Sequence, residues 1–235
     1  MCWNKEVSIV TFVIICIVSY NFWIRNNKND RLLSLFIISY GSMQLFESLI
    51  WLGIDTNMKQ FVITGSILAC LLLYLHPSAI SLGMYHDKAY QKYKQNNYYK
   101  LMVFISILIL LFGIYNIIIH LTKSNKEYSF LSYPDKVNKH LVWDFPSHYP
   151  LIIVVALLIS LIILKEDRII WLSIIGYYFI PAIFVVLTNK VSPENINKNY
   201  NGSYWCWYVA FFSFILYNLN PLIRWKWRTC ITLHT

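Results

Sequence analysis

The segment Tyr40-Gly-Ser-Met-Gln-Leu-Phe-Glu-Ser-Leu-Ile-Trp51 lies in an apolar stretch, residues 32–53, whose only charged residue is Glu47. About 20 apolar residues are enough for a helix to cross the hydrocarbon core of a bilayer. Helical steps of four, three and four place Tyr40, Gln44, Glu47 and Trp51 on one face. A carboxyl group in such a helix is costly and usually faces the bundle interior. The stretch therefore predicts a membrane span with a polar site around Glu47.

The composition of the whole chain agrees with this prediction. Of its 235 residues, 57% are hydrophobic and only 13% are charged, whereas soluble domains carry about 25% charged residues. The net charge is nevertheless +9. We expect this excess in cytoplasmic loops, where it would meet the bilayer and its anionic lipids. The basic residues are scattered over several short loops, so nucleic acid is not an expected partner.

Further apolar stretches predict an all-α, polytopic membrane protein with a seven-transmembrane-helix bundle. The expected spans are residues 7–24, 32–53, 61–84, 101–121, 149–164, 169–188 and 204–223. These spans form one membrane domain, residues 1–223, and residues 224–235 follow as a basic tail. We find no soluble domain and no internal repeat of the kind found in many transporters.

The distribution of Lys and Arg predicts the orientation of the chain. More of these basic residues lie in the segments after spans one, three, five and seven than in the segments on the opposite side of the membrane. Those in the first group all lie in short segments. By the positive-inside rule, the N-terminus is expected outside and the C-terminus in the cytoplasm. The protein would then be an integral, multi-pass protein of a plasma, host endomembrane or virion membrane.

Three residues at the predicted outer edge are candidates for covalent modification. Asn201-Gly-Ser203 is a glycosylation sequon close to span seven. Cys2 and Cys206 both lie beside tryptophan at this edge and would form a disulfide in an oxidising compartment. The alternative, two unrelated free thiols, stays open because sequence alone does not determine disulfide connectivity.

Other polar residues in the spans are candidate partners of Glu47. Asn116 in span four and Tyr208 in span seven are expected at a similar depth. His76 is predicted about 12 Å deeper than Glu47, from the helical rise of about 1.5 Å per residue, so the two are not expected to share a metal ion. Tyr177 and Ser213 belong to a secondary polar strip. For each of these residues the alternative is ordinary helix packing through hydrogen bonds.

The motifs of common membrane enzymes and pigments do not occur in this sequence. It has no His-Glu-x-x-His, paired Cys-x-x-Cys or Gly-x-Ser-x-Gly motif. We therefore predict no metal, no cofactor and no catalytic residues. A retinal Schiff base like that of microbial rhodopsins needs a lysine in span seven, and residues 204–223 contain none. Assembly into a homo-oligomer is an open alternative.

Three short motifs carry a resemblance to other proteins. They are Met1-Cys2-Trp3, the pattern Met43-Gln44-x-x-Glu47-x-x-x-Trp51, and Gly202-Ser203-x-Trp205-Cys206-Trp207. The chain resembles uncharacterised seven-span membrane proteins of large DNA viruses and some protists. In that group Gln-Pro is expected where this chain has His76-Pro77. The resemblance implies an architecture and no activity.

Three functions follow as hypotheses. The first is a small transporter or channel for an ion or small solute, with Glu47 and Gln44 at its polar site. The second is a receptor-like or structural seven-helix protein that acts through its basic tail, without transport or catalysis. The third is an intramembrane lipid-modifying enzyme, which would require His76 or His86 to approach a carboxylate or a metal ion.

Overall fold

The computed structural model describes residues 4–123, 133–134, 141–142, 149–168, 170–172 and 174–176. The main helices are α1 (Lys5–Arg25), α2 (Asp30–Asp55), α3 (Lys59–His86), α4 (Asn97–Lys123) and α5 (Tyr149–Glu166), with a 3-10 helix at Lys88–Tyr93 between α3 and α4. The other regular element among these residues is an antiparallel pair of two-residue strands, β1 (Tyr133–Pro134) and β2 (Leu141–Val142). The all-α class predicted from the sequence is confirmed.

Four of the described helices, α1 to α4, are long and apolar enough to cross a membrane. Each contains one of the first four predicted spans and extends it by one to four residues at each end. Helix α5 contains the predicted fifth span, 149–164, and helical residues occur at 168, 170–172 and 174–176, where span six was expected to begin. The rest of span six, all of span seven and the basic tail lie outside the described residues.

Asparagine residues occupy the start of α1 and the turns between α1, α2 and α3. The side chain of Asn4 caps α1 by accepting the backbone N–H of Val7 at 2.9 Å. Asn26, Asn29 and Asn57 adopt positive φ angles of 47°, 68° and 55° in the turns that join α1, α2 and α3. Asparagine tolerates this left-handed conformation better than other residues that carry a Cβ. These turns reverse the chain so that α1, α2 and α3 pack side by side.

Helices α2 and α3 form the centre of the described bundle. Helix α2 packs against α1 and α3, and α3 also packs against α4 and α5. Over the most apolar 18 residues of each helix, 61% of the α2 residues and 56% of the α3 residues are buried. The corresponding fractions are 33% for α1 and 28% for α4. The outer faces of α1 and α4 expose large apolar side chains such as Ile17 and Leu111. Exposed apolar faces of this extent suit contact with lipid.

Two glycines allow α2 to approach its neighbours closely. A Cβ atom at Gly41 would collide with the side chain of Ile15 on α1. A Cβ atom at Gly65 on α3 would lie 2.9 Å from the backbone oxygen of Phe46 on α2. Small residues at such crossings bring helix backbones together and increase van der Waals contact. The polar residues of α2 are therefore enclosed by protein on both sides.

Candidate functional site

The α2–α3 seam, which we define by Tyr40, Gln44, Glu47, Trp51 and His76, contains most of the polar groups predicted to face the bundle interior. Glu47 is 0% exposed, Gln44 2% and His76 1%. The rings of Tyr40 and Trp51 are also buried. Helix α2 thus turns its polar face toward its neighbours, because burial in protein costs a polar side chain less than exposure to hydrocarbon.

His76 and Tyr40 connect the two helices of the seam. Their rings are stacked, with centroids 3.8 Å apart and planes inclined by 16°. Phe36, one turn away on α2, packs on Tyr40 with its ring centroid at 4.7 Å. Helix α3 continues through Pro77 without ending. The aromatic stack therefore holds His76 in a fixed position inside the bundle.

Some buried polar atoms of the seam lack a hydrogen-bond partner among the described residues. They are both ring nitrogens of His76 and Nε1 of Trp51, although the backbone of Ser39 lies beside the His76 ring. Nearly all buried polar atoms in folded proteins have a partner. Exceptions at a buried imidazole and a buried indole are consistent with a site that takes up water, an ion or a solute.

The depths predicted for Glu47 and His76 agree with the contact that the structure shows. His76 lies against Tyr40, which is seven residues from Glu47 and therefore about 10 Å along α2. Glu47 and His76 thus lie at different levels of one seam. The stack on Tyr40 was not predicted, because spacing along a helix does not specify which residue of a neighbouring helix it will meet.

Helix α4 packs mainly against α3 and α5. The main contacts of α2 are with α1 and α3, and those of α4 are with α3 and α5. Asn116, which was predicted to approach Glu47, is half-buried on α4 and its Nδ2 atom has no hydrogen-bond partner within the described part. Its neighbour Tyr115 is exposed. The described helix contacts do not bring Asn116 to Glu47, so that pairing stays a prediction.

Several other predicted residues lie outside the described part of the chain. They are Cys2, Tyr177, Asn201, Tyr208, Cys206 and Ser213. The disulfide, the glycosylation site and the contact of Tyr208 with Glu47 therefore stay predictions. The two cysteines that are described, Cys16 and Cys70, form no disulfide within the described part of the chain.

A second group of polar residues, the edge network, lies where α1, α2, α3 and α5 end. Asp87, the residue after α3, is 1% exposed and caps α2. Its carboxylate accepts the backbone N–H groups of Asn29 and Arg31, both at 3.1 Å, and that of Leu32 at 3.4 Å. The same carboxylate accepts the N–H of Ala89 at 2.9 Å. One side chain thus satisfies the free donors of a neighbouring helix and of the 3-10 helix.

Asn29 extends the edge network to two further elements. Its Oδ1 accepts the hydroxyl of Tyr90 at 2.7 Å, and its Nδ2 donates to Asp167 at 2.9 Å. The next residue, Asp30, is fully buried and receives two parallel bonds of 2.8 Å from Arg25. A paired guanidinium and carboxylate is the arrangement in which a buried charge is best compensated.

Glu166, the last residue of α5, completes the edge network. It accepts the hydroxyl of Tyr93 at 2.6 Å and pairs with Lys92 at 2.7 Å. Burial alone would raise the pKa of Glu166, but the hydrogen bonds from Lys92 and Tyr93, together with the charges of Lys92 and Lys28, outweigh it and lower the pKa. The pKa of Lys92 is raised, mainly by its hydrogen bond to Glu166. The contact between Lys92 and Glu166 therefore favours the ionised form of both side chains.

Sequence reasoning missed the edge network, although its residues carry a recognisable pattern. Asn29 and Asp30 lie just before an apolar stretch, and Asp87 lies shortly after one. Asn and Asp are preferred at helix N-termini. The pattern indicates helix caps at these positions, but not that Asp87 caps a helix 55 residues away in sequence.

The described residues include no group of three or more His, Cys, Asp or Glu that could hold a metal ion. His86 packs edge-on against two aromatic rings, Trp23 with centroids 5.8 Å apart and Tyr85 with centroids 5.4 Å apart.

Comparison of the chain with protein families, curated proteins and solved structures found no match. The candidate site is therefore defined by its own geometry.

Proposed function

We propose that the chain is a multi-span membrane protein that transports an ion or small solute, and that the carboxyl group of Glu47 binds it. In this proposal the first four spans are α1 to α4, the N-terminus is outside and the C-terminus is cytoplasmic. The observation that carries the proposal is the complete burial of Glu47 in a helix apolar enough to cross a membrane. A buried carboxyl group at such a position is costly, and function is the usual reason for its presence.

The composition of the seam supports the proposal. Gln44 lies one turn from Glu47 on the same face of α2. Tyr40 follows about one turn further along, and the ring of His76 is stacked on it. Neutral imidazole, phenol and amide groups can exchange hydrogen bonds with a passing proton, water molecule or cation. The ring nitrogens of His76, which form no hydrogen bond of good geometry with the described residues, are available for such exchange.

The seam is closed in this conformation, because Glu47, Gln44 and His76 are each at most 2% exposed. Transport through it requires a second conformation in which α1 or α3 moves away from α2. Helix α1 is the better candidate for this movement, since it packs mainly against α2 and has most of its surface exposed.

Flux measurement tests the proposal directly. Full-length protein in proteoliposomes is given a potassium diffusion potential with valinomycin, and proton entry is followed with a trapped pH-sensitive dye. Sodium uptake is measured in parallel. We expect wild-type flux to fall at least tenfold in Glu47→Gln. The matched control is Glu6→Gln, which removes an exposed carboxylate from the first turn of α1. Equal flux in both variants would remove Glu47 from the mechanism.

A receptor-like or structural bundle without transport is the second candidate, and the closed seam is the observation that favours it. Infrared spectroscopy in D2O separates the two candidates. The carboxyl band of Glu47, assigned by its loss in Glu47→Gln, should exchange within minutes if water reaches the seam. A band that stays unexchanged for hours, together with no wild-type flux, would favour the structural bundle.

A further inference from the structure

A groove of about 560 Å³ lies between α3 and the first half of α4, apart from the seam. At its base the Oγ atoms of Ser81 and Ser106 are 3.0 Å apart. The hydroxyl of Tyr99 donates to the backbone carbonyl of Ser81, also at 3.0 Å. These hydroxyl groups already have partners within the protein, so the groove offers little to a polar solute.

The walls of the groove are apolar and open to the outside of the bundle. Leu82 on α3 and Val103 and Ile107 on α4 line it. Leu82 and Ile107 are 51% and 48% exposed and form its rim. From Tyr99 to Ile107 the groove follows α4 for about 12 Å. An elongated apolar groove that opens sideways from a membrane helix suits a hydrocarbon chain.

One end of the groove carries positive charge. The Nζ atom of Lys94 lies 3.8 Å from the centre of the Tyr85 ring, which fixes its position over the groove. Lys100, one turn into α4, has the amide oxygen of Gln95 at 3.5 Å. Neither lysine forms an ion pair with a residue in the described part of the chain. Two uncompensated cations at the end of an apolar groove complement a ligand with an anionic head and an apolar tail.

We propose that this groove binds one anionic glycerophospholipid. Its phosphate lies between Lys94 and Lys100, and one acyl chain lies along Leu82, Val103 and Ile107. A second copy of this chain would bring the same basic edge to these lysines, and each copy already carries a net charge of +9. The lipid supplies the missing negative charge. The proposal does not depend on transport through Glu47, because the groove and the seam share no residue.

Native mass spectrometry of the full-length protein in detergent tests this site. The probes are phosphatidylglycerol and phosphatidylcholine with identical palmitoyl and oleoyl chains. We expect the double variant Lys94→Gln/Lys100→Gln to bind phosphatidylglycerol about 10- to 30-fold more weakly, since each lysine near an anionic lipid contributes roughly a fivefold factor. Binding of phosphatidylcholine should change less than threefold.

A control double variant, Lys88→Gln/Lys165→Gln, removes the same charge from exposed lysines outside the groove. It should bind phosphatidylglycerol with an affinity within threefold of wild type. Equal loss in the two double variants would overturn the site in favour of general attraction by the basic edge. Val103→Trp fills the groove and should weaken phosphatidylglycerol binding at least tenfold. Unchanged lipid binding with a loss of dimer in Val103→Trp would show that the groove holds a second copy instead.

Discussion

The α2–α3 seam and the edge network are both buried and polar, yet they satisfy their polar atoms very differently. In the edge network the two oxygens of Asp87 accept four backbone N–H groups, and Asp30 receives two bonds from Arg25. In the seam both ring nitrogens of His76 and the indole nitrogen of Trp51 have no hydrogen-bond partner among the described residues. At similar burial, these particular groups of the two regions therefore differ in hydrogen bonding.

The difference indicates what each region does. A satisfied network at the ends of four helices fixes how those helices meet, and loses stability when any member is removed. Polar groups buried without partners stabilise nothing by themselves, so their presence points to a ligand or to function. We therefore assign the architecture of the bundle to the edge network and the proposed transport to the seam.

Removal of Asp87 should have the largest effect on stability. Asp87→Ala deletes the acceptor of four backbone N–H groups, and two of these hydrogen bonds, from Asn29 and Leu32, are buried. Each buried donor that loses its partner costs about 1–3 kcal/mol, so we expect a loss of about 3–5 kcal/mol. Reversible unfolding in sodium dodecyl sulfate, followed by circular dichroism, measures it. Asp55→Ala, at the exposed end of α2, is the control and should change stability by less than about 0.5 kcal/mol.

Replacement of each carboxylate by its amide should separate the two regions further. In Asp87→Asn one oxygen becomes an NH2 group that cannot accept, and we expect a loss of about 2 kcal/mol. In Glu47→Gln the amide removes a chargeable group from a buried position in a membrane-spanning helix, and stability should change by less than about 1 kcal/mol. The same unfolding assay applies. A larger loss in Glu47→Gln than in Asp87→Asn would assign a structural role to Glu47.

Two aromatic variants test hydrogen bonding alone. Tyr90→Phe removes the 2.7 Å bond to Asn29 and leaves a buried acceptor, so we expect a loss of about 1–2 kcal/mol. His76→Phe keeps an aromatic ring on Tyr40 and removes two ring nitrogens that form no hydrogen bond of good geometry with the described residues. It should be neutral or stabilising in the unfolding assay. A loss comparable to that of Tyr90→Phe would mean that the imidazole has a partner essential to the fold.

A small effect that depends on pH is expected at Tyr93. The pKa of Glu166 is lowered, so its ionised form stabilises the fold above its ordinary pKa of about 4.3, and this contribution is lost as the pH falls through the lowered value. Tyr93→Phe removes one of the bonds that lower this pKa. We expect acid destabilisation to begin at a higher pH, with a loss of about 0.5–1 kcal/mol near pH 7.

The control for this prediction is Tyr98→Phe. It removes a bond of 2.7 Å to the backbone carbonyl of Leu158, which does not titrate. Stability measured from pH 3 to pH 7 should therefore follow the wild-type pH profile in Tyr98→Phe and depart from it in Tyr93→Phe. Identical profiles in all three proteins would show that Glu166 keeps its low pKa without Tyr93.

The positions of the described helices were largely predictable because hydrocarbon imposes a simple requirement. A helix must be apolar over about 20 residues, and each of the first five predicted spans lies within one of the helices α1 to α5. The polar face of α2 was predictable in the same way, since Tyr40, Gln44, Glu47 and Trp51 follow the helical repeat. Local spacing contains all the information that such predictions need.

Contacts between helices were not predictable from spacing. The stack of His76 on Tyr40 depends on the axial shift between α2 and α3, which is determined by close approaches such as that of Gly65 to Phe46. The cap that Asp87 places on α2 depends on two helix ends that lie far apart in sequence. Both contacts arise from packing.

The sequence by itself determined that this chain forms long apolar helices and that α2 carries a carboxyl group on its polar face. Which stretches form apolar helices, and which face of each helix is polar, are local properties of the chain. Composition and helical period therefore specify them. Only the tertiary structure decided which polar groups find partners. Asp87 meets the open end of a neighbouring helix, whereas His76 meets an aromatic ring. A hydrogen bond requires two atoms within about 3 Å, and only the packing of whole helices brings them that close.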